Sequence, residues 1–390
     1  MTAGRKRILL VGHFEPDRQQ SKQRYAGWLL AALRARGVTA ILIRPVALFS
    51  RLGKGPLGRG AIFKYLGYLD KYLVFPRQLR AAARQFDLVH ICDHSNSMYL
   101  NAAAGAPAVI TCHDVLAIRA AQGEFAATRT GWAGRRLQAW ILRGLRSAKN
   151  VICVSHKTAD DLARLTGEVG VAQAGTRIEV ILNPLNWHYQ PQPDMQEELR
   201  DRLGLAEGQK YFLHVGGNQW YKNRTAVVRI FAELAGMAEF EAAKLVMAGK
   251  PLPPSLRELI AQLGLTDRLI EALDTANEEL EALYSSALAL VFPSLEEGFG
   301  WPIAEAQACG CPVAVTNRPP MTEVAGDAAI FIDPEDPAGA AQLVRDGLAR
   351  REELRQAGFL NVARFDEAKI ADAYCAAYAS MLGAGRFPAT

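Results

Sequence analysis

Short apolar strands alternate with helical stretches along the whole chain, and this alternation limits the possible folds more than any other feature. The first series of strands is RILLVGHF, VTAILIRP, DLVHIC, AVITCHD, NVICVS and IEVILN. The second series is KYFLHVGG, KLVMAGK, RLIEAL, ALALVF, CPVAVTN and AIFID. Such alternation is typical of parallel sheets that helices cover on both faces. The pattern therefore predicts an α/β protein with two doubly wound parallel sheets.

A proline-rich stretch separates the two series. Residues 183–194, NPLNWHYQPQPD, contain three prolines and little periodicity, which indicates a linker between two domains. At 390 residues the chain is long enough for two well-filled cores. In open parallel sheets, ligands bind beyond the carboxyl ends of the strands. We therefore expect a ligand at these strand ends, in a cleft that the two domains face.

Composition excludes several classes of protein. No apolar run approaches the roughly 18 to 20 residues of a membrane span, and the basic, then apolar, N-terminus is typical of a first strand rather than a signal peptide. The six cysteines are scattered, as in reduced cytosolic proteins. Cys309 and Cys311 form a C-x-C pair without a second pair, so no metal site is expected.

The two halves of the chain differ in charge. Residues 1–190 carry 27 Lys and Arg against 11 Asp and Glu, whereas residues 191–390 carry 18 against 29. A basic half beside an acidic half indicates that the first half meets an anionic partner.

The stretch SLEEGFGWPIAEAQACGCPV, residues 294–313, joins a buried strand to a short helix. Pro302 suits a first helical turn, and Gly310 ends the helix. The free N–H groups at such a helix start collect anions. Glu297 and Glu305 would repel a phosphate there unless they accept hydrogen bonds from hydroxyl groups. The loop therefore fits a nucleotide sugar, although acidic residues are also common at helix starts without a ligand.

The same stretch resembles the E-x7-E signature of glycosyltransferase family 4, the retaining GT-B enzymes, in the form E-G-F-G-x-P-x-x-E-A-x-A-x-G-x-P-V. HVGGNQWYKNR, residues 214–224, resembles the phosphate-binding segment of the family. TCHDV, residues 111–115, resembles its T-x-H-D stretch, and VICVSHKTADDL, residues 151–162, resembles a late segment of its first domain. The resemblance covers about residues 6–380.

This resemblance implies a GT-B fold, with two Rossmann-like domains facing a cleft. The N-terminal acceptor-side domain would comprise residues 1–188, and the C-terminal nucleotide-sugar-binding domain residues 189–364. A C-terminal helix, residues 365–382, would cross back onto the first domain; its apolar residues recur at helical spacing.

The resemblance also implies roles for individual residues. Glu305 would hold the ribose of the donor, Glu297 its sugar hydroxyls and Lys222 its diphosphate, while His113 would contact the donor sugar from the first domain. Taken alone, Lys222 is more often a solvated lysine, and His113 more often a structural histidine. The predicted catalytic residues are Glu297, Lys222 and His113. The predicted donor-binding residues are Glu305, Gly298, Phe299, Gly300, Gly216, Gly217, Asn223 and Arg224. The predicted acceptor-side residues are Gly12, His13, Arg24 and Tyr25.

The sequence departs from the family in two loops. Family members usually carry an arginine near the phosphates, where this chain has Gly217 and Tyr221; Arg224 is the candidate substitute. The first loop lacks the usual glycine pair and has only Gly12 before Arg24. The chain contains no D-x-D triplet, so we expect no metal and no other cofactor, with Lys222 stabilising the leaving diphosphate.

The resulting prediction is a retaining, metal-independent glycosyltransferase that moves a sugar from a nucleotide sugar to an acceptor hydroxyl, in a lipid-linked or cell-envelope saccharide. A GT-B phosphorylase or sugar epimerase is the alternative enzyme. No G-x-G-x-x-G follows the first strand, which argues against a dinucleotide-dependent oxidoreductase. A nonenzymatic nucleotide- or nucleic-acid-binding protein is a further alternative, but no zinc-finger or RNP-like motif is present, so no nucleic-acid partner is expected.

Residues 51–84 hold eight Lys and Arg and one acidic residue, Asp70, interleaved with aromatic and aliphatic residues. Such a stretch is typical of proteins that lie on an anionic membrane face. We therefore expect a cytoplasmic protein that attaches peripherally to the cytoplasmic membrane face. The alternative is that the apolar residues pack on the sheet while the basic ones are solvated.

Overall fold

The computed structural model describes residues 6–17, 19–52, 66–103, 105–167, 176–192 and 195–383. The chain divides into two compact units. The first is formed by the residues up to Asn186 together with those from Glu367 onwards, and the second is Trp187–Asp366. The predicted boundary after residue 188 lies two residues from this division.

The first unit contains a six-stranded parallel sheet in the order β2-β1-β3-β4-β5-β6. Its strands are β1 Arg7–Val11, β2 Thr39–Ile43, β3 Leu88–Ile91, β4 Ala108–Cys112, β5 Asn150–Cys153 and β6 Arg177–Val180. The connections leave β1 in opposite directions towards β2 and β3, which makes the β1–β3 junction the topological switch point of this sheet.

Helices cover both faces of the first sheet. They are α1 Gln20–Ala35, α2 Phe49–Leu52, α3 Phe75–Ala83, α4 Leu116–Ala121, α5 Trp132–Arg146 and α6 His156–Thr166. Because successive strand residues point to opposite faces, Ile8 and Leu10 pack in the core that includes α1, whereas Leu9 and Val11 pack in the core that includes α3 and α5. A π-helical turn, Asp70–Val74, leads directly into α3.

The second unit contains another six-stranded parallel sheet, in the order β12-β11-β10-β7-β8-β9. Its strands are β7 Tyr211–Gly216, β8 Lys244–Gly249, β9 Leu269–Leu273, β10 Leu290–Phe292, β11 Val313–Thr316 and β12 Ile330–Ile332. Here the switch point is the junction of β7 with β10, so the loops that follow these two strands are the expected ligand-binding loops.

Eight helices pack around the second sheet in the described part of this unit: α7 Glu197–Arg202, α8 Arg224–Ala235, α9 Pro254–Gln262, α10 Asn277–Ser286, α11 Trp301–Ala308, α12 Met321–Ala325, α13 Pro337–Leu348 and α14 Arg351–Val362. Two of them, α8 and α11, begin in the loops that follow β7 and β10. Their first turns therefore lie at the switch point.

The last helix, α15 (Glu367–Met381), belongs to the first unit and packs beside α1. The Tyr25 hydroxyl lies 2.6 Å from the Tyr374 hydroxyl, and the His90 Nδ1 lies 2.5 Å from the Tyr378 hydroxyl. All four side chains are buried. Buried polar groups are stable only when they are paired, so this network fixes the position of α15 on the first sheet.

Residues 53–65 of the predicted membrane-binding stretch lie outside the described residues. No helix in the described part of the chain combines the length and the apolar character that crossing a bilayer requires.

Candidate functional site

The loops after β7 and β10 are joined to each other at the switch point of the second sheet. The Leu295 N–H donates to the Tyr221 carbonyl at 2.8 Å. The side-chain amide of Asn223 donates to the Pro293 carbonyl at 3.2 Å, and Asn223 itself takes a left-handed backbone conformation with φ of 50°. These bonds hold the predicted donor-binding segments of the second unit side by side.

The structure pairs two of the predicted catalytic residues, Lys222 and Glu297. The Lys222 Nζ lies 2.6 Å from the Glu297 Oε1, and the two side chains are only 15% and 9% exposed. The ammonium also lies 5.1 Å from the centre of the Phe292 ring. Ion pairs that are largely shielded from water are screened weakly. The pair therefore places one positive and one negative charge, fixed in position, at the end of β10.

The predicted anion-binding helix start is present at α11. Gly300 has a φ of 103° and precedes the helix as its N-cap residue, where it has no side chain with which to cap the helix. A residue with a Cβ atom would be strained in this left-handed conformation, which explains the glycine. The N-terminus of a helix attracts negative charge.

Phe299 has a different role from the one that the sequence suggests. Its side chain is buried and contacts the rings of Trp301 and Phe365 at centroid distances of 6.1 and 5.6 Å. The ring is therefore part of the core beneath the loop, and only the backbone of Phe299, with that of Gly298, can contribute to donor binding.

Glu305 lies within α11 and is 4% exposed. Its Oε2 accepts a hydrogen bond from the Tyr284 hydroxyl at 2.8 Å. Burial and the neighbouring carboxylate raise the pKa of Tyr284 well above its ordinary value, so this hydroxyl stays protonated and keeps donating. The carboxylate of Glu305 is thus held in one orientation.

Arg224 is buried at the start of α8. Its Nη1 donates to the Asn218 side chain and, at 2.9 Å, to the Lys250 carbonyl. Its Nε and Nη2 have no hydrogen-bond partner among the described residues, and burial lowers the pKa of the guanidinium. Arg224 therefore joins the loops after β7 and β8, and keeps two unused donors.

Gly216 and Gly217 line a pocket of about 380 Å³ at the carboxyl ends of β7, β8 and β9. Gly216 pairs with Gly249, which has a φ of 135° and would place a Cβ atom 2.2 Å from the Gly216 carbonyl oxygen. Glycine at 249 is therefore required where the backbones of these two strands approach each other.

The first unit contains a buried charged cluster at the switch point of its own sheet. Of the residues in this cluster, only His13 was predicted from the sequence. The Asp93 Oδ2 lies 2.6 Å from the Lys22 Nζ and 3.1 Å from the His13 Nε2. The Asp93 Oδ1 lies 3.4 Å from the His94 Nδ1. Burial alone would raise the pKa of Asp93, but Lys22 and the two histidines hold it well below its ordinary value. The available signal was the CDH triplet directly after β3, at the carboxyl edge of the sheet.

His113 lies next to this cluster, at the end of β4. Its Nε2 donates to the Cys92 carbonyl at 2.9 Å, so Nδ1 is the accepting nitrogen of the neutral ring. Burial lowers the pKa of His113 to about 4. The imidazole is therefore uncharged near neutral pH and can accept a hydrogen bond.

The other predicted acceptor-side residues differ in exposure. The Gly12 N–H donates to the Ile43 carbonyl at 2.8 Å, and Arg24 lies exposed on α1. Tyr25 is buried, and its hydroxyl contacts Thr111 at 2.9 Å as well as α15. The Tyr25 ring packs edge-on against His113 at 4.7 Å. Tyr25 is thus packed among α1, β4 and α15, and its acceptor-side role stays a prediction.

Within the described ranges, no three His, Cys, Asp or Glu side chains are arranged so that they could hold a metal ion. All six cysteines are buried and free.

Two family models match the chain. Residues 23–186 match the model described as Glycosyltransferase Family 4, and residues 195–358 match the model described as Glycosyl transferases group 1. The two matched ranges fall within the first and the second unit, respectively.

Curated relatives give a consistent result. The O-antigen chain mannosyltransferase RfbU of Salmonella typhimurium is 30% identical over 196 residues, which is 49% of each chain. The D-inositol 3-phosphate glycosyltransferase 1 of Catenulispora acidiphila is 28% identical over 259 residues, 62% of this chain and 60% of the relative. The chain therefore spans only about half to three fifths of the length of these relatives.

Among solved structures, the sucrose-phosphate synthase from Thermosynechococcus elongatus superposes with a TM-score of 0.73. The superposition covers 98% of this chain and 100% of that one at 21% identity, so it shows that the fold is shared.

Proposed function

Since glycosyltransferase models match both units, the chain belongs to glycosyltransferase family 4, and from this premise we propose that it transfers a sugar from a nucleotide-sugar donor to an acceptor hydroxyl. The predicted family and the predicted GT-B fold class are both confirmed. The donor, the stereochemistry and the acceptor are the parts that we propose.

The observation that carries this proposal is the Lys222–Glu297 pair beside the start of α11. In the proposed reaction, the bond between the anomeric carbon and the diphosphate oxygen breaks, and the leaving oxygen gains negative charge. The acceptor hydroxyl oxygen bonds to the same carbon, and its proton passes to the leaving diphosphate. The ammonium of Lys222 and the amide dipoles of α11 both stabilise negative charge at this place. Groups that bind the leaving diphosphate more strongly than the intact donor lower the barrier.

Glu297 restrains Lys222 before the donor arrives. In the proposed complex, the diphosphate takes over the ammonium, and the carboxylate becomes free to accept hydrogen bonds from sugar hydroxyls. Glu305, held by Tyr284, would accept hydrogen bonds from the ribose. In this proposal, the Glu297 carboxylate binds the sugar and the Glu305 carboxylate binds the nucleoside.

His113 is proposed to accept a hydrogen bond from a donor-sugar hydroxyl through its Nδ1, because Nε2 is committed to the Cys92 carbonyl. A neutral imidazole suits this role, since it does not repel the positive charge that develops on the sugar ring. The configuration at the anomeric carbon is proposed to be retained by substitution on the same face, through a short-lived oxocarbenium-like state.

The reaction is proposed to need no metal ion. Lys222 and the start of α11 supply the stabilisation of the diphosphate that a divalent cation supplies in other enzymes.

The test is the release of free nucleoside diphosphate from a panel of UDP-, GDP- and ADP-sugars, with and without saccharide acceptors and in excess EDTA. We expect the protein to turn over at least one donor in EDTA. Lys222→Ala should lower kcat by about 10²-fold or more, with a smaller change in KM, because the lost charge acts mainly in the transition state. A strict requirement for Mg²⁺ or Mn²⁺, or an unchanged kcat for Lys222→Ala, would contradict the mechanism.

We further propose that the acceptor is a lipid-linked or cell-envelope saccharide, reached by peripheral attachment to the cytoplasmic membrane face. One relative is an O-antigen chain mannosyltransferase, which fits such an acceptor. In the described part of residues 51–84, Leu69, Leu73 and Arg77 are exposed. Lys71 is only 13% exposed and is paired with Asp17 at 2.7 Å, so it adds little charge to this surface. Asp70 is buried, where it accepts hydrogen bonds from backbone N–H groups including that of Phe49.

Helix α5 extends this surface. The Tyr72 ring contacts the ring of Trp140 at 5.1 Å, and Trp140 is partly exposed. Trp132 is 73% exposed, with the Arg136 guanidinium 5.1 Å from its ring centre. Helix α5 contains four arginines and no acidic residue. Exposed aromatic rings among basic residues favour the interface of an anionic membrane.

The test of membrane attachment is co-sedimentation with neutral or anionic vesicles at low and high salt. We expect the protein to bind anionic vesicles, and we expect this binding to weaken as salt is added. The double variant Trp132→Ser, Leu73→Ser should bind anionic vesicles more weakly than the wild type. Leu360→Ser, at an exposed leucine of the second unit, is the matched control and should bind as the wild type does. Equal binding to neutral and anionic vesicles at low salt would exclude the proposal and favour a water-soluble acceptor.

A further inference from the structure

A chain of five polar side chains connects the last helix, α15, to strand β4 and back again. The Tyr374 hydroxyl lies 2.6 Å from the Tyr25 hydroxyl, which lies 2.9 Å from the Thr111 Oγ1. The Thr111 Oγ1 in turn lies 2.7 Å from the His90 Nε2. The His90 Nδ1 lies 2.5 Å from the Tyr378 hydroxyl. Both ends of this chain are on α15, and the proposed mechanism gives none of the hydroxyl groups a role.

The chain of side chains is shielded from water along its whole length. None of the five residues is more than 3% exposed. Each of their polar atoms has a partner within the chain. A buried polar network whose members are all paired makes the residues that it joins rigid. The chain therefore holds Tyr25, its member on α1, in a defined position.

Tyr25 is the member that contacts His113. The two rings are perpendicular, at an interplanar angle of 87°, and their centroids are 4.7 Å apart. The imidazole is also held at Nε2, which donates to the Cys92 carbonyl at 2.9 Å. A hydrogen bond at one atom leaves the ring free to tilt about that atom, and the Tyr25 ring limits this tilt. The direction in which the His113 Nδ1 points thus depends on where the Tyr25 ring lies.

The position of the Tyr25 ring depends in turn on α15. Its hydroxyl has two partners, Thr111 on β4 and Tyr374 on α15. Removal of the Tyr374 hydroxyl would leave Tyr25 with Thr111 alone. A contact on the last helix is therefore connected, through one tyrosine of α1, to the residue proposed to face the donor sugar.

We propose that Tyr374 is a positioning residue for sugar transfer that acts on His113 through Tyr25, an inference that rests on the proposed function. A small displacement of a group that contacts the reacting sugar costs a large factor in rate. The residues assigned to the nucleotide belong to the second unit, whereas Tyr374 belongs to the first. Loss of the Tyr374 hydroxyl should therefore slow transfer without weakening the binding of the nucleotide.

The test is Tyr374→Phe, which removes the hydroxyl and keeps the ring. With the donor that the wild type uses, we expect kcat for sugar transfer to fall by about tenfold. The affinity for the nucleoside diphosphate, measured by calorimetry, should stay within about twofold of the wild-type value. Tyr25→Phe removes the same contact from its other side and should give the same result. It provides the test if Tyr374→Phe does not fold.

A double-mutant cycle shows whether the effect passes through His113. When Tyr374→Phe is added to His113→Ala, kcat should change by less than about twofold, because the imidazole to be positioned is already absent. A further decrease of about tenfold in the His113→Ala background would overturn this inference. An unchanged kcat for a folded Tyr374→Phe would overturn it as well. Both results would leave the proposed function standing.

Tyr99→Phe is the matched control, because it removes a hydrogen-bonded hydroxyl from another fully buried tyrosine of the first unit. The Tyr99 hydroxyl donates to the Lys71 carbonyl at 3.0 Å, and its ring packs against Phe75. Its kcat should stay within about twofold of the wild-type value. An equal loss of kcat in Tyr99→Phe would show a general effect of destabilising this unit and would contradict the inference. Failure of the folded wild type to release nucleoside diphosphate from any donor would instead overturn the proposed function.

Discussion

Lys222 and Glu297 neutralise each other at 2.6 Å in the protein alone, and this has a consequence for how a donor binds. An incoming diphosphate competes with the carboxylate for the ammonium, so the cost of separating the pair opposes donor binding. We propose that the benefit comes in the transition state, where the ammonium is already oriented and the released carboxylate accepts hydrogen bonds from the sugar.

The first prediction concerns Glu297→Gln. The substitution should leave GDP or UDP affinity unchanged or increase it, because Lys222 loses its competitor, while sugar transfer slows by about 10²-fold. Calorimetry measures the first effect and initial rates measure the second. Glu258→Gln, an exposed residue of α9, is the control. A variant that loses nucleotide affinity in proportion to its rate would show that Glu297 supports binding and not transfer.

At the residue scale, the sequence predicted which candidate site residues lie close together when they belong to one continuous segment. Glu297, Gly300 and Glu305 occur in one loop and helix, so their spacing alone places them together. The Asp93–Lys22 contact joins segments that are far apart in sequence. Only the order and register of the parallel strands bring such residues together, and strand order was not predicted from the sequence.

At the scale of elements, the predicted strands all exist. All twelve apolar segments form strands, since short apolar runs between helices have no other stable place than a covered parallel sheet. The helix after the Glu297 loop begins at Trp301, so Pro302 lies in its first turn as predicted. The π-helical turn Asp70–Val74 was not predicted, because periodicity does not distinguish it from an α-helix.

The second prediction concerns α15. Tyr378→Phe removes the hydroxyl that pairs with the His90 Nδ1 and leaves that buried nitrogen unpaired. The free energy of unfolding should fall by about 1–3 kcal/mol, as measured by urea unfolding. Ser380 lies on the same helix as Tyr378, and its hydroxyl makes an exposed contact with Arg177. Ser380→Ala should change the free energy of unfolding by less than about 0.5 kcal/mol. Equal effects of the two variants would argue that the buried network does not stabilise α15.

At the scale of the whole molecule, both units contain buried neutral histidines. Burial lowers the pKa of His90 and His214 to about 3 and that of His113 to about 4. In the unfolded chain each would titrate near 6.5. Below that pH the unfolded state binds more protons than the folded state, so unfolding is favoured by acid.

The third prediction follows from these pKa values. The contribution of the three neutral histidines to the free energy of unfolding should be at its maximum above about pH 6.5. It should decrease as the pH falls from there to about 4. Each histidine contributes a loss of about 1.4 kcal/mol per pH unit once the pH is well below 6.5. Melting temperatures measured from pH 7.5 to 5 should decrease steadily, and His90→Gln should flatten the decrease. A melting temperature that is constant down to pH 5 would contradict the neutral assignment.

The difference in charge between the two halves of the chain agrees with the functions proposed for them, which are membrane attachment for the first half and donor binding for the second. The basic first half carries the exposed aromatic and basic surface of α5, and the second half carries the proposed donor site. The acidic character of the second half is compatible with the proposed binding of a diphosphate, because Lys222 and the start of α11 provide positive charge locally.

The central claim is that the second unit binds the donor nucleotide at the switch point of its sheet. Calorimetric titration of Glu305→Ala with a nucleoside diphosphate tests it most directly, since Glu305 is the buried carboxylate assigned to the ribose. We expect the wild type to bind and the variant to bind at least about tenfold more weakly, because a charged hydrogen-bond acceptor is lost. Equal affinity of the wild type and a folded Glu305→Ala variant would contradict the claim.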